Sequence, residues 1–181
     1  MNIIWKPSPN FTAGRTKPIE GVVLHGTDGD FPGCLNWLQN PLAEVSAHYL
    51  IDRPGQVYKL VQEANTAWHC RGYNSKSIGI ELVCRVTEGQ DYTGKQYVSL
   101  NVLLAEIVAR HGKLWIEPHS KLDPGRRHDP GPQFQWAQLS AGNEIETLPS
   151  EISTPSSWAV EAWEWAAEEG LITGGDPPSV V

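Results

Sequence analysis

Residues 21–30 read GVVLHGTDGD, and the fold follows from how this stretch is read. The apolar run Val22-Val23-Leu24 is too short for a helix and stops at a glycine- and aspartate-rich turn, so it reads as a strand, Gly21–His25. His25 therefore sits where a strand opens into a loop. A second stretch, residues 119–132, reads HSKLDPGRRHDPGP. Its prolines and glycines exclude both a regular helix and a regular strand. A long irregular segment with titratable residues at both ends exists because something pins it, and here those residues are His119 and Asp129. Two imidazoles and one carboxylate form a common three-ligand set for catalytic zinc, with a fourth position left for water.

The chain has 181 residues, 40% of them hydrophobic, and a formal net charge of −7. That suits one domain with a small appendage. With no basic cluster longer than Arg126-Arg127, nucleic acid is excluded as a partner, because phosphate neutralisation needs a cationic face. The same acidity means that an anionic polymer has to be recognised by a shaped groove rather than by bulk attraction. The first residues, MNIIWKPSPNF, lack the apolar core of a signal peptide, and no stretch is apolar enough to span a bilayer. The expectation is synthesis in a host cytoplasm, action after release, and no membrane insertion. Cys34, Cys70 and Cys84 are an odd set with no CxxC pair, which reads as reduced, buried thiols.

Working outward, strands are expected at Gly21–His25, Ala47–Asp52, Gln56–Val61, Ser77–Val83 and Leu114–Ile116. Arg53-Pro54-Gly55 turns the second into the third. Leu100, Leu103, Leu104, Ile107 and Val108 form one apolar stripe on a helix from Tyr97 to Arg110, with Gly112 as its stop. A shorter helix, Cys34–Gln39, carries Leu35 and Leu38 inward. Strands mixed with helices predict an α/β domain with a mixed central sheet flanked by helices. Residues 1–140 form this domain, and residues 141–157, with Pro149 and Pro155, read as a linker. Residues 158–181 contain a short helical appendage, WAVEAWEWAAEEG, capped by Gly170 and followed by a tail. One such helix cannot bury its own tryptophans, so docking on the domain or self-association is expected of it, with independent binding to the wall as the alternative.

Five blocks in order, GVVLHGTDG, VSAHYLIDRPGQVYKLV, AWHC, SIGIELV and HSKLDPGRRHDPGPQFQW, resemble those of zinc-dependent N-acetylmuramoyl-L-alanine amidases. These share the fold of peptidoglycan-recognition proteins and phage amidase-type lysozymes. The resemblance runs from Val22 to Trp136. It implies Zn²⁺ held by His25, His119 and Asp129, and it turns His25 from an ordinary strand-end histidine into a ligand. In SIGIELV, Ile78, Ile80 and Leu82 share one face, so Glu81 points to the other. A carboxylate there is costly unless it borders a polar cleft, and its position resembles that of the family's general acid/base.

Arg127 stands where relatives of this type place a lysine, and a cation there would stabilise an oxyanion. The substrate-binding residues implied are Trp68, His69, Asn74 and Thr27. His48 reads as structural and His128 as a bystander. The resemblance implies hydrolysis of the amide between N-acetylmuramic acid and L-alanine in bacterial peptidoglycan, as a phage-type endolysin. Two rivals are a non-catalytic peptidoglycan-binding module and a cytosolic amidase that recycles anhydro-muropeptides. The complete ligand set argues against the first, and the tryptophan-rich segment leans away from the second.

Overall fold

The structure, a computed structural model, describes residues 1–140. Its strands are β1 (Ile3–Trp5), β2 (Phe11–Thr12), β3 (Gly21–Gly26), β4 (Tyr49–Ile51), β5 (Val57–Lys59), β6 (Thr66–Ala67), β7 (Ser77–Leu82) and β8 (Trp115–Pro118). The helices are α1 (Gly33–Gln39), α2 (Gly94–His111) and α3 (His119–Leu122). Six strands form one sheet in the order β1-β5-β4-β7-β3-β8, while β2 and β6 pair separately. Only β4 and β5 run antiparallel within the large sheet; its other neighbours are parallel.

Alternation along the central strands sorts the core into two layers. Val22 and Leu24 of β3 and Ile78, Ile80 and Leu82 of β7 face α2, where Leu100, Leu103, Leu104 and Ile107 meet them. The opposite face packs Leu50, Tyr58 and Val83 against Leu35 and Leu38 of α1. Strands sandwiched between helical layers read as continuous apolar runs, which is why GVVL and SIGI are so uniformly hydrophobic. The mixed α/β fold expected from the sequence is the fold observed.

The element ends differ from expectation for local reasons. Helix α2 begins at Gly94 rather than Tyr97 because Thr93 and Gln96 form a capping box. The Thr93 hydroxyl accepts from the Gln96 amide at 3.1 Å, and the Gln96 carboxamide accepts from the Thr93 amide at 3.0 Å. Strands β4 and β5 are each three residues, shorter than expected: at the turn Asp52 accepts from the Gln56 amide, and at the far end the His48 carbonyl accepts from both the Leu60 and Val61 amides, which interrupts the regular ladder. Gly55 in that turn has φ +93 and lies against the Lys95 carbonyl, a position only glycine fills without strain. Strands β1, β2 and β6 are too short to leave a periodic signal. The segment expected to lack helix opens with the single turn α3, closed by the Asp123 amide on the His119 carbonyl at 2.9 Å. The expected linker at 141–157 and the tryptophan-rich helix at 158–181 lie outside the described residues. No helix among the described residues is long and apolar enough to cross a membrane.

One charged cluster ties the helix end to the sheet. Glu63, nearly buried, accepts from the Tyr49 hydroxyl at 2.5 Å and the Arg110 guanidinium at 2.7 Å, and lies 2.6 Å from His111 Nε2. Burial alone would raise its carboxyl, but these partners outweigh burial and hold it at about 2.

Candidate active site

The carboxyl ends of the parallel strands β7, β3 and β8 converge on one edge of the sheet, the usual place for a site in an α/β sheet. His25 is the penultimate residue of β3, Glu81 that of β7, and His119 follows β8 directly. Asp129 arrives on the Pro/Gly-rich loop, and that loop is pinned. The Ser120 amide donates to the Asp129 carbonyl at 3.0 Å, and the Tyr92 hydroxyl donates to the Pro130 carbonyl at 2.7 Å. Phe134 is buried in the core, and the next amide, Gln135, donates to the Tyr97 hydroxyl at 2.7 Å. Two tyrosines around the start of α2 thus anchor a segment with no ladder of its own.

This brings the three expected ligands together. His25 Nδ1 lies 2.9 Å from His119 Nδ1, and each of these nitrogens lies 3.1 Å from Asp129 Oδ2. The edges of this triangle suit tetrahedral coordination, in which bonds of ~2.0–2.1 Å put ligand atoms a little over 3 Å apart. Both imidazoles are buried, so the donors are aimed at one another away from water. A group of two histidines and one carboxylate in this arrangement can hold a metal ion. Burial lowers the His25 pKa, which favours the neutral ring that a metal requires. Burial would raise Asp129, but the His119 and His25 imidazoles beside it hold it well below the ordinary carboxylate range.

Glu81 opens into the same cavity, and its Oε2 is buried with no hydrogen-bond partner among the described residues. Burial pushes its carboxyl up to about 8, with Asp129 adding to the rise and the Arg127 guanidinium opposing it. A buried carboxylate oxygen with no partner among the described residues, beside three converging donors, is what a cationic centre would satisfy, so the residues present fit a divalent metal.

The cavity, about 330 Å³, is also lined by Thr27, Trp68, His69, Arg127 and His128. Arg127 is exposed, and the chain from Asp123 to Arg126 turns rather than extends. Thr27 donates to the Gly29 carbonyl at 3.1 Å and accepts from the Cys84 amide at 3.2 Å, which closes the turn after His25. Trp68 is half-buried, its indole N–H donating to Thr12 Oγ1 at 3.0 Å.

His69 lies behind His25, with its Nδ1 at 3.1 Å from His25 Nε2. Asn74 does not line the cavity; its carboxamide accepts from the His69 and Cys70 amides at 2.9 and 2.6 Å and shapes the loop beneath. His48 is fully buried, accepting from the Gly79 amide at 2.9 Å on Nδ1. The three thiols are free, but only Cys70 and Cys84 are buried; Cys34 is partly exposed on the cavity wall.

Trp37, 56% exposed on α1 and facing the cavity, escaped the sequence reading. The signal was present: an aromatic residue off the inward Leu35/Leu38 face of a short amphipathic helix has no core to join.

A mixed α/β sheet with two imidazoles, a carboxylate and a second, partly buried carboxyl at its strand ends defines a hydrolase-type centre able to hold one divalent cation. The family profile described as N-acetylmuramoyl-L-alanine amidase matches residues 15–132, and the chain belongs to that family. N-acetylmuramoyl-L-alanine amidase A of Achromobacter lyticus is 31% identical over 158 residues, covering 74% of this chain and 89% of that protein. The 1,6-anhydro-N-acetylmuramyl-L-alanine amidase AmpD of Citrobacter freundii is 36% identical over 110 residues, covering 54% of this chain and 56% of its own length. Among solved structures, Escherichia coli AmiD in complex with anhydro-N-acetylmuramic acid-L-Ala-D-gamma-Glu-L-Lys superposes with a TM-score of 0.61 at 31% identity. That match covers 67% of this chain and 56% of AmiD. The chain thus spans most of one curated relative and about half of the other two.

Proposed function

We propose that this chain is a zinc-dependent amidase that hydrolyses the amide between N-acetylmuramic acid and L-alanine, acting as an endolysin-type enzyme on the assembled wall after release from the cytoplasm. The observation that carries the reading is the ~3 Å triangle of His25 Nδ1, His119 Nδ1 and Asp129 Oδ2, with Glu81 Oε2, buried and without a partner among the described residues, in the same cavity. When bound there, zinc supplies Lewis acidity toward a carbonyl oxygen and makes water a nucleophile near neutral pH.

The chain's own residues supply the rest. Glu81 takes a proton from the attacking water and returns one to the leaving amine of L-alanine. A carboxyl raised toward neutrality by burial can do both, because neither protonation state is strongly disfavoured near pH 7. Arg127, always charged, stabilises the oxyanion as the amide carbon becomes tetrahedral. Trp68 and Trp37 offer flat apolar faces for the sugar ring and lactyl group, and Thr27 holds the turn that presents His25.

A second reading has support from the relatives. AmpD is named for 1,6-anhydro-muramyl substrates and AmiD was solved with an anhydro-muramyl peptide, which favours soluble fragments as substrate. The test is product identification coupled to metal analysis. Digested peptidoglycan should yield a new L-alanine amine terminus, with one zinc per chain in the active protein. Comparable digestion of intact sacculi and soluble anhydro-muropeptides separates the two readings. Release of reducing sugar ends instead of L-alanine amines would overturn both.

A further inference from the structure

We propose that His69 is the positioning residue for His25, fixing its tautomer and ring orientation so that Nδ1 presents a lone pair to the metal. The inference rests on the metal site proposed above.

The argument starts from a group that has no proton to give. The carbonyl of Tyr73 accepts from Ser77 Oγ at 2.7 Å, and Ser77 is fully buried. A hydroxyl has one proton, and this one is spent on the carbonyl. Toward His69 Nε2, 3.3 Å away, Ser77 Oγ can therefore only accept. Nε2 of His69 carries the ring proton, which leaves a lone pair on Nδ1. That Nδ1 lies 3.1 Å from His25 Nε2, so His25 donates from Nε2. The Nδ1 of His25 is then a lone pair, aimed at the point shared with His119 Nδ1 and Asp129 Oδ2. The direction of the chain is set at its far end by a backbone carbonyl.

The ring of His69 is also boxed in sterically. A Cβ added to Gly79 of β7 would fall 2.5 Å from His69 Cγ, so only glycine leaves room for the imidazole there. The Gly79 amide is held by His48, whose ring meets His69 edge-on at 5.7 Å. His69 meets His25 the same way, with ring centroids 5.2 Å apart and planes at 88°. The Asn74 carboxamide fixes the His69 backbone. Among the described residues His119 has no counterpart to this support, since its Nε2 is buried without a partner there. A partner on the second nitrogen of a ligating histidine sets which nitrogen faces the metal, and its loss typically weakens metal binding ~10–100-fold.

The test measures zinc affinity by competition with a chromophoric chelator, alongside the absorption spectrum of the cobalt-loaded protein. His69→Ala should bind zinc ~10–100-fold more weakly and change the cobalt spectrum. His69→Asn, whose amide oxygen sits near the position of Nδ1, should restore most of both. Wild-type affinity and spectrum in His69→Ala, with His25→Ala abolishing binding, would overturn this inference and leave the metal site standing. A wild-type chain that binds no divalent metal would overturn both. Imidazole ¹⁵N NMR on the metal-free wild type gives a reading independent of any variant's folding: His25 should carry its proton on Nε2, and a proton on Nδ1 refutes the chain of donors.

Discussion

His25 and Glu81 are register partners across the parallel pair β3–β7, and both side chains open into one cavity. Paired positions on neighbouring parallel strands put their side chains on the same face. The distance between the proposed ligand and the proposed acid/base is therefore set by a backbone ladder rather than by loops. A carboxyl so placed is expected to act in the reaction without holding the fold.

Glu81→Gln should keep zinc content and the denaturation midpoint of the zinc-loaded protein close to wild type while hydrolysis falls ~10²–10⁴-fold, the usual worth of a positioned acid/base. Turnover of a muramyl-peptide substrate, beside metal analysis of the same sample, checks this. Turnover within a few-fold of wild type would remove Glu81 from the mechanism.

The metal-stripped protein should show the cost of burying that carboxyl. Its folded pKa is raised from 4.5 to about 8, so between those values the folded state keeps a proton that the unfolded chain has released. This contribution to stability is fully present below pH 4.5 and is lost as pH rises toward 8, at ~1.4 kcal/mol per unit. Glu81→Gln should flatten that slope. Urea midpoints of both metal-free proteins across this range decide the matter, and two parallel curves would contradict it.

Arg127 acts by charge in the proposed mechanism. Arg127→Lys should keep most activity, whereas Arg127→Ala should lose ~10–100-fold, less than a fixed oxyanion donor because the residue is exposed. Zinc affinity should be unchanged in both. Steady-state kinetics with chelator competition tests the pair, and equal activity of Arg127→Ala and wild type would refute the role.

Glu63 carries the opposite pH dependence. Its carboxyl falls from 4.5 to about 2 on folding, so its stabilisation is present above pH 4.5 and is lost as pH falls toward 2. Glu63→Gln should cost ~2–3 kcal/mol at pH 7 and progressively less in acid, since it removes the charge facing Arg110 and replaces one of the two acceptor oxygens shared by Tyr49, Arg110 and His111 with an NH2 donor. Chemical denaturation at several pH values gives the comparison. A penalty that does not shrink in acid would mean that packing, not charge, supports this corner.

Removing the helix cap tests a purely local contribution. Thr93→Ala should destabilise the chain by ~1 kcal/mol through the lost bond to the Gln96 amide. Thermal denaturation should show the loss with zinc binding intact.

Much of this was legible in the residues. The runs GVVL and SIGI marked the central strands because strands covered on both sides need apolar residues throughout. The α2 stripe from Leu100 to Ile107 marked its inward face by 3.6-residue spacing. Alternation in SIGIEL put Glu81 opposite the α2 face, where the structure has it. Short elements such as β1, β2 and β6 were invisible because two or three residues carry no period. The capping box was written in Thr93 and Gln96 but lay ahead of the first apolar position, which hid the true start of α2.

The sequence by itself determined the fold class, the set of chemically capable residues and the family whose blocks they share, since these depend on residue type and spacing along the chain. Only the tertiary structure decided how those residues meet. The His25, His119 and Asp129 triangle joins positions 104 residues apart, held by a loop that Tyr92 and Tyr97 pin from another element. The placing of His69 behind His25, and of Asn74 beneath the loop rather than in the cavity, follows from hydrogen bonds that close only in three dimensions. Donor direction is a property of geometry, and a linear sequence does not encode which lone pair faces which proton.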